Sequence, residues 1–101
     1  MSAQEFSSLP LHDALLWSVE LLWEQKLCRL HLAAFAQKGE AASPHLLEFQ
    51  QVTALKVPHE ESWGPSSSVN SVSHSFGSFQ VEMQSGDTIE ITARGFTLVA
   101  L

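Results

Sequence analysis

The sequence predicts an all-β, mainly antiparallel domain: a small sandwich or half-open barrel of about five to seven strands, with at most a short helical turn. Three observations carry this expectation. Polar and apolar residues alternate from Phe79 to Ala93 on both sides of Ser85-Gly86-Asp87, the pattern of a hairpin with one buried face. Period-two alternation also runs through residues 14–35 and changes parity across Glu24-Gln25-Lys26. Finally, the chain closes on the apolar run Phe96 to Leu101, which reads as a strand inserted in a sheet.

In the amino-terminal half, propensity and periodicity disagree. Residues 11–38 lack Gly and Pro and are rich in Leu, Ala, Glu and Gln, which favours a helix. On a helical wheel, however, Ser18, Glu20, Glu24, Gln25, Arg29 and His31 scatter around the circle and leave no apolar stripe. With period two, Leu15, Trp17, Val19, Leu21 and Trp23 share one face. After the turn, Cys28, Leu30, Leu32 and Ala34 point inward while Arg29 and His31 point outward. The expectation is therefore two strands, Ala14–Trp23 and Leu27–Phe35. A two-residue turn would set His31 opposite Glu20.

Residues 1–10 read as a loosely ordered leading segment of a single domain spanning 1–101. Gln37 to Pro44 is a polar turn. Leu46 to Val57 is extended, but Val52 breaks the parity of Leu47, Phe49, Leu55 and Val57, so a bulge or two short strands is expected. Pro58 ends it, and His59 to Ser68 is loop by composition. Val69 and Val72 suit a helical turn or an irregular strand. In the clear hairpin, Phe79, Val81, Met83, Ile89 and Ile91 should be core, and Gln80, Glu82, Thr88 and Glu90 exposed. Keeping those faces aligned demands an odd loop, best met by Gln84-Ser85-Gly86 with Gly86 at the left-handed position. Gly95 suggests a bulge before the last strand.

Composition narrows the function classes. Charged residues are 16% and the net charge is −6, with Lys26, Arg29, Lys38, Lys56 and Arg94 scattered singly. Nucleic acid is not an expected partner, since phosphate binding needs clustered cations. The apolar stretch after Pro10 is interrupted by His12, Asp13, Ser18, Glu20 and Glu24, so no membrane span is expected. The first residues carry no basic and apolar leader pattern, and the expected compartment is the cytoplasm.

Few residues suggest chemistry. Trp63-Gly64-Pro65-Ser66 is the best ligand- or partner-binding candidate, an indole on a stiff, serine-rich loop. Its alternative role is a plug at one end of the core. Asp13, Gly86 and Asp87 read as turn residues, Asp13 through an Asx-type bond at the start of the first strand. His12 beside Asp13 would point to the opposite face of a strand and make no dyad. Glu60-Glu61 reads as a solvated pair. The histidines at 12, 31, 45, 59 and 74 have no ligand spacing, so neither a metal nor a cofactor is expected. Cys28, in an apolar run, reads as a small core residue. No nucleophile–base spacing points to an enzyme.

Leu11-His12-Asp13-Ala14, Trp63-Gly64-Pro65-Ser66 and Glu82-Met83-Gln84-Ser85-Gly86-Asp87 together resemble a family of small bacterial proteins without an assigned activity. The likeness spans most of the chain and implies a strand-dominated domain. The chain departs from that pattern at Glu24-Gln25-Lys26, which lacks a glycine, and at Ser62, where a proline often precedes the tryptophan. The expected function is a protein-interaction module. Alternatives are a sugar-like or polar ligand held by the Trp63 loop, or an immunity-type inhibitor of a partner protein. Leu16, Leu22, Leu27 and Phe35 fall on faces read as outward in a weakly charged chain, so a homodimer is expected, with another protein as a further candidate partner.

Overall fold

A computed structural model describes residues 3–35 and 39–101. Eight strands form two antiparallel four-stranded sheets. The strands are β1 Leu15–Leu22, β2 Leu27–Ala34, β3 Ser43–Gln50, β4 Ala54–Lys56, β5 Val69–Ser75, β6 Ser78–Met83, β7 Thr88–Thr92 and β8 Gly95–Ala100. The first sheet has the order β1-β2-β3-β8 and the second β4-β7-β6-β5. The all-β expectation holds, with more strands than the upper count because the 46–57 region divides in two.

That division is the hinge of the fold. β3 and β8 pair from His45↔Ala100 to Gln50↔Gly95, and β4 and β7 pair from Ala54↔Thr92 to Lys56↔Glu90. Between them Thr53 N–H donates to the Thr92 carbonyl and Arg94 N–H to the Gln50 carbonyl. One two-stranded ribbon thus bends from the first sheet into the second. The extra residue falls at the bend, where Gln51 takes a φ of 52° and Val52 turns into the core. The parity break at Val52 is this corner.

At a second corner Leu16 N–H donates to the Ser67 carbonyl, Asp13 N–H to that of Val69, and Val69 N–H to that of Ala14. Val69–Ser75 is a strand with a register shift near its start, so the helical-turn reading of Val69 and Val72 does not hold. Facing strands bury Leu30, Leu47 and Phe49 against Phe79, Val81, Ile89 and Ile91 in one cluster.

The leading segment corrects an expectation. Ala3–Ser8 is a 3-10 helix rather than loose chain, and it packs against β5 and β8. Phe6 is fully buried there, with ring centroids 4.9 Å from Phe79, 5.1 Å from Phe96 and 5.8 Å from Phe49. Such edge-to-face clusters contribute beyond the area they bury. The helix lies against β8 and β5, and Leu9 and Leu11, which follow it, pack with the same core. Of the expected Gln37–Pro44 turn, residues 37 and 38 lie outside the described residues. Gly39 and Glu40 turn, and Pro44 already belongs to β3.

β1 and β2 confirm the strand reading against helix propensity, with two corrections. The connecting loop is four residues, Trp23 to Lys26, so Glu20 faces Arg29 and meets His31 only diagonally, at 3.3 Å. A bulge between Leu16 and Ser18 places Leu16 opposite Leu32, facing the core and not outward. Leu15 is thereby displaced from the face it was expected to share with Val19. Cys28, Leu30, Leu32 and Ala34 are buried as expected. Burial pushes the Cys28 thiol up to about 11, so it stays protonated and inert.

In the clear hairpin all five predicted core residues are buried. The loop is Gln84-Ser85-Gly86: Met83 N–H donates to the Asp87 carbonyl, Gly86 N–H to that of Met83, and Gly86 has a φ of 96°. Only Glu90 of the four predicted exposed residues is fully exposed. Glu82 is half-covered because its carboxylate accepts a 2.6 Å bond from Asn70 Nδ2.

Candidate functional site

Between β1 and β4 the described residues leave a flank open. Trp17 is the bulged residue; beyond it Val19 and Leu21 alternate with Ser18, Glu20 and Leu22 and face the same side as their buried partners Leu30 and Cys28, and Trp23 follows in the turn. Their pattern is that of a buried row. Yet Trp17 is 58% exposed, Leu21 41% and Trp23 83%. β1 is an edge strand, and β4, the edge of the second sheet, is only three residues long and does not reach under the whole row.

Two clefts run along this flank. The larger, about 590 Å³, is lined by Leu21, Trp23, Lys26 and residues 52–55. The smaller, about 310 Å³, lies between the first half of β1 and the loop after β4. Trp17, Val19, Val57, Met83 and Ile89 give it apolar walls, and His59, Ser66 and Ser67 a polar rim. Beyond the contacts made by Leu16 to the Ser67 carbonyl, the Trp17–Leu22 edge borders these clefts. An unpaired strand edge beside apolar clefts is a template for a further strand.

The loop 58–67 is held in place by Asp87. Its Oδ1 accepts from Glu60 N–H at 2.8 Å, and its Oδ2 from Glu61 N–H at 3.0 Å and from the Ser85 hydroxyl at 2.7 Å. These bonds, Glu60 N–H foremost and then Ser85, hold the Asp87 carboxyl below the usual carboxylate range, against the opposing effect of burial. Asp87 is thus spent on architecture. Glu60-Glu61 is no freely solvated pair: both backbones serve this clasp, and Glu61 Oε2 accepts from Ser66 N–H at 3.2 Å.

The clasp gives a pH dependence of definite sign. A carboxyl whose pKa is lower folded than unfolded stabilises fully above the unfolded value of about 3.9, and loses that contribution as pH falls through the folded value. Acidification through the lowered folded value, beneath the usual carboxylate range, should therefore free the 58–67 loop. Trp63 emission, read with Trp17 and Trp23 replaced by Phe, should show that step. An Asp87→Asn variant should lack it.

Trp63 is not a core plug. It is 70% exposed and its ring lies on the hairpin turn, so close to Gly86 that a Cβ there would stand 2.9 Å from the indole. Trp63 N–H donates to the Ser85 carbonyl at 2.9 Å, and Gly64 N–H closes a turn on Glu61. Gly64 ends this turn and Pro65 follows it, while Ser66 reaches the rim of the smaller cleft. The candidate tetrapeptide is thus split between two surfaces.

Asp13 does sit in a turn, with a φ of 67° and Ala14 N–H bonded to the Leu11 carbonyl. Its carboxylate, however, accepts from Gln84 Nε2 at 2.6 Å, tying the turn to the distant hairpin and not to its own backbone. Because this is a turn and not a strand, His12 Nε2 approaches Asp13 Oδ2 to 3.5 Å after all. His12 Nδ1 is 2.8 Å from the Asn70 carbonyl, so the pair fastens two segments together. Among the described residues no group of three metal-ligating side chains converges, and no helix is long and apolar enough to cross a membrane.

No family model, curated protein or solved structure matches the chain. The candidate site therefore rests on its own geometry. Sequence reading placed Trp17, Leu21 and Trp23 on the right face but took that face for core. Only the lateral order of the strands, which periodicity does not encode, reveals that it stands open.

Proposed function

We propose that this domain is a protein-interaction module that accepts an extended segment of another polypeptide along the free edge of β1. One observation carries the reading: a strand patterned for burial, with the turn after it, presents Trp17, Leu21 and Trp23 over a flank that the described residues leave open. Backbone groups of the edge would give affinity, and alternate side chains of the incoming strand would enter the two clefts. Exposed tryptophans are the side chains that most often dominate such interfaces. An immunity-type inhibitor of a partner protein would be one form of this module.

Peptide display tests the reading. Selected sequences should alternate apolar and polar residues, and their binding should drop at least tenfold on Leu21→Lys. Selected peptides that bind the Leu21→Lys protein equally well would overturn it. A second reading, a polar small ligand, is supported by Trp17, His59, Ser66 and Ser67 around the smaller cleft, whose size is at the lower end of ligand pockets. Thermal-shift screening against sugars and nucleosides, repeated on Trp17→Ala and Ser66→Ala, tests it.

A further inference from the structure

The open flank carries a pattern that matches itself. We propose that the segment received by β1 is β1 of a second copy, paired antiparallel about a twofold axis at Val19, so that two four-stranded sheets join into one of eight. This inference rests on the edge-pairing reading above and names its occupant.

The register follows from which side chains would oppose each other. Residues facing across an antiparallel pair lie on the same face, so a twofold axis must pass through a residue that opposes itself. Leu15 and Leu16 are engaged by Ser67 and Ser68, which leaves Trp17 to Trp23 for a partner. An axis at Glu20 sets two carboxylates directly against each other, a destabilising arrangement. An axis at Leu21 sets Glu20 against Leu22 and engages only the last residues before the turn.

With the axis at Val19, Trp17 faces Leu21 of the second copy, Val19 faces Val19, and Ser18 faces Glu20. Apolar opposes apolar on the inner face. On the outer face the row becomes Glu48–Arg29–Glu20 followed by Ser18 and His31 of the second copy. Glu20 already lies 3.3 Å from His31 and 4.0 Å from Arg29 in its own chain, and Arg29 Nε lies 2.8 Å from Glu48. The joined row therefore places no two like charges directly opposite.

The paired stretch, Trp17 to Leu21, makes this a weak dimer. With aromatic side chains presenting about 150–250 Å² each, the exposed part of Trp17 from two copies supplies on the order of 200–300 Å². Leu21, Val57 and the paired backbone add to this, keeping the interface in the range of weak, transient contacts under ~1,200 Å². Two chains of charge −6 also repel, so association should strengthen with salt.

Light scattering and cysteine cross-linking test the proposal together. The mass should climb from the chain mass of 11.1 kDa toward twice that value as protein and salt concentrations rise, and stay at monomer in Trp17→Lys and Leu21→Lys. Val19→Cys should form an intermolecular disulfide on oxidation, since facing Cα atoms in such a pair are about 4.5–5.5 Å apart. Glu20→Cys should not, its copies being displaced by two residues, and the wild type should not because Cys28 is buried. Cross-linking at Glu20→Cys in place of Val19→Cys would overturn the register. A monomer mass at every salt concentration would overturn self-pairing, and peptide binding to the same edge would then show that the module reading survives it. A dimer unaffected by either lysine variant would overturn self-pairing through β1, because association would then use another surface.

Discussion

Phe6→Ala should destabilise the domain by about 3–5 kcal/mol, the range for removing a fully buried phenylalanine. The reason is positional. Phe6 meets rings from both sheets, Phe49 and Phe96 on one side and Phe79 on the other. Against a total stability of about 5–15 kcal/mol, the loss would move the urea midpoint far down or leave the chain unfolded. Phe6→Leu, which retains most of the volume, should recover the larger part. A Phe6→Ala midpoint close to wild type would mean that the 3-10 helix is not part of the cooperative core.

Val81→Asp should abolish folding. Val81 is 1% exposed between Ile89 and Val72, and a carboxylate placed there without a partner costs several kcal/mol. Glu82→Lys, on the opposite face of the same strand, should cost only about 1–2 kcal/mol, for the lost 2.6 Å bond to Asn70. Denaturant titration and circular dichroism separate the two outcomes. Equal sensitivity at both positions would show that the inward face of β6 has been misassigned.

The elements that were legible from sequence are those in which one face is buried and the other wet. Phe79, Val81, Met83, Ile89 and Ile91 announce themselves because period two has no other stable reading at that length. The loop Gln84-Ser85-Gly86 was legible because parity restricted its length and only glycine is at ease at a φ of 96°. The bulge at Leu16–Trp17 was not legible, since an inserted residue in an apolar run changes no residue type. It alone decides that Leu16 turns inward. Phe6 was missed because six residues of 3-10 helix have no periodicity to read, and its burial depends on rings from positions 49, 79 and 96. Asp87 was recognised as a turn residue, but its clasp on Glu60 and Glu61 spans a separation no local pattern records. The candidate site suffered most. Trp17, Leu21 and Trp23 carry the signature of a core row, and exposure is a property of the neighbouring strands, not of the row.

The bent ribbon of β3–β4 against β8–β7 has a consequence for the route by which the chain folds. The hairpins β1–β2, β5–β6 and β6–β7 close loops of a few residues, so each can form on its own within microseconds. Joining His45 to Ala100 and Asp13 to Val69 closes loops of more than fifty residues before any contact rewards the lost entropy. The meeting of preformed hairpins at the two corners should therefore limit the rate, and stopped-flow refolding should place this small domain among the millisecond-to-second folders. Phe6 can dock only once strands from both hairpin groups stand beside each other. Its ring is then the bolt and not the nucleus: losing it should leave the rate of assembly nearly unchanged and let the assembled domain come apart faster.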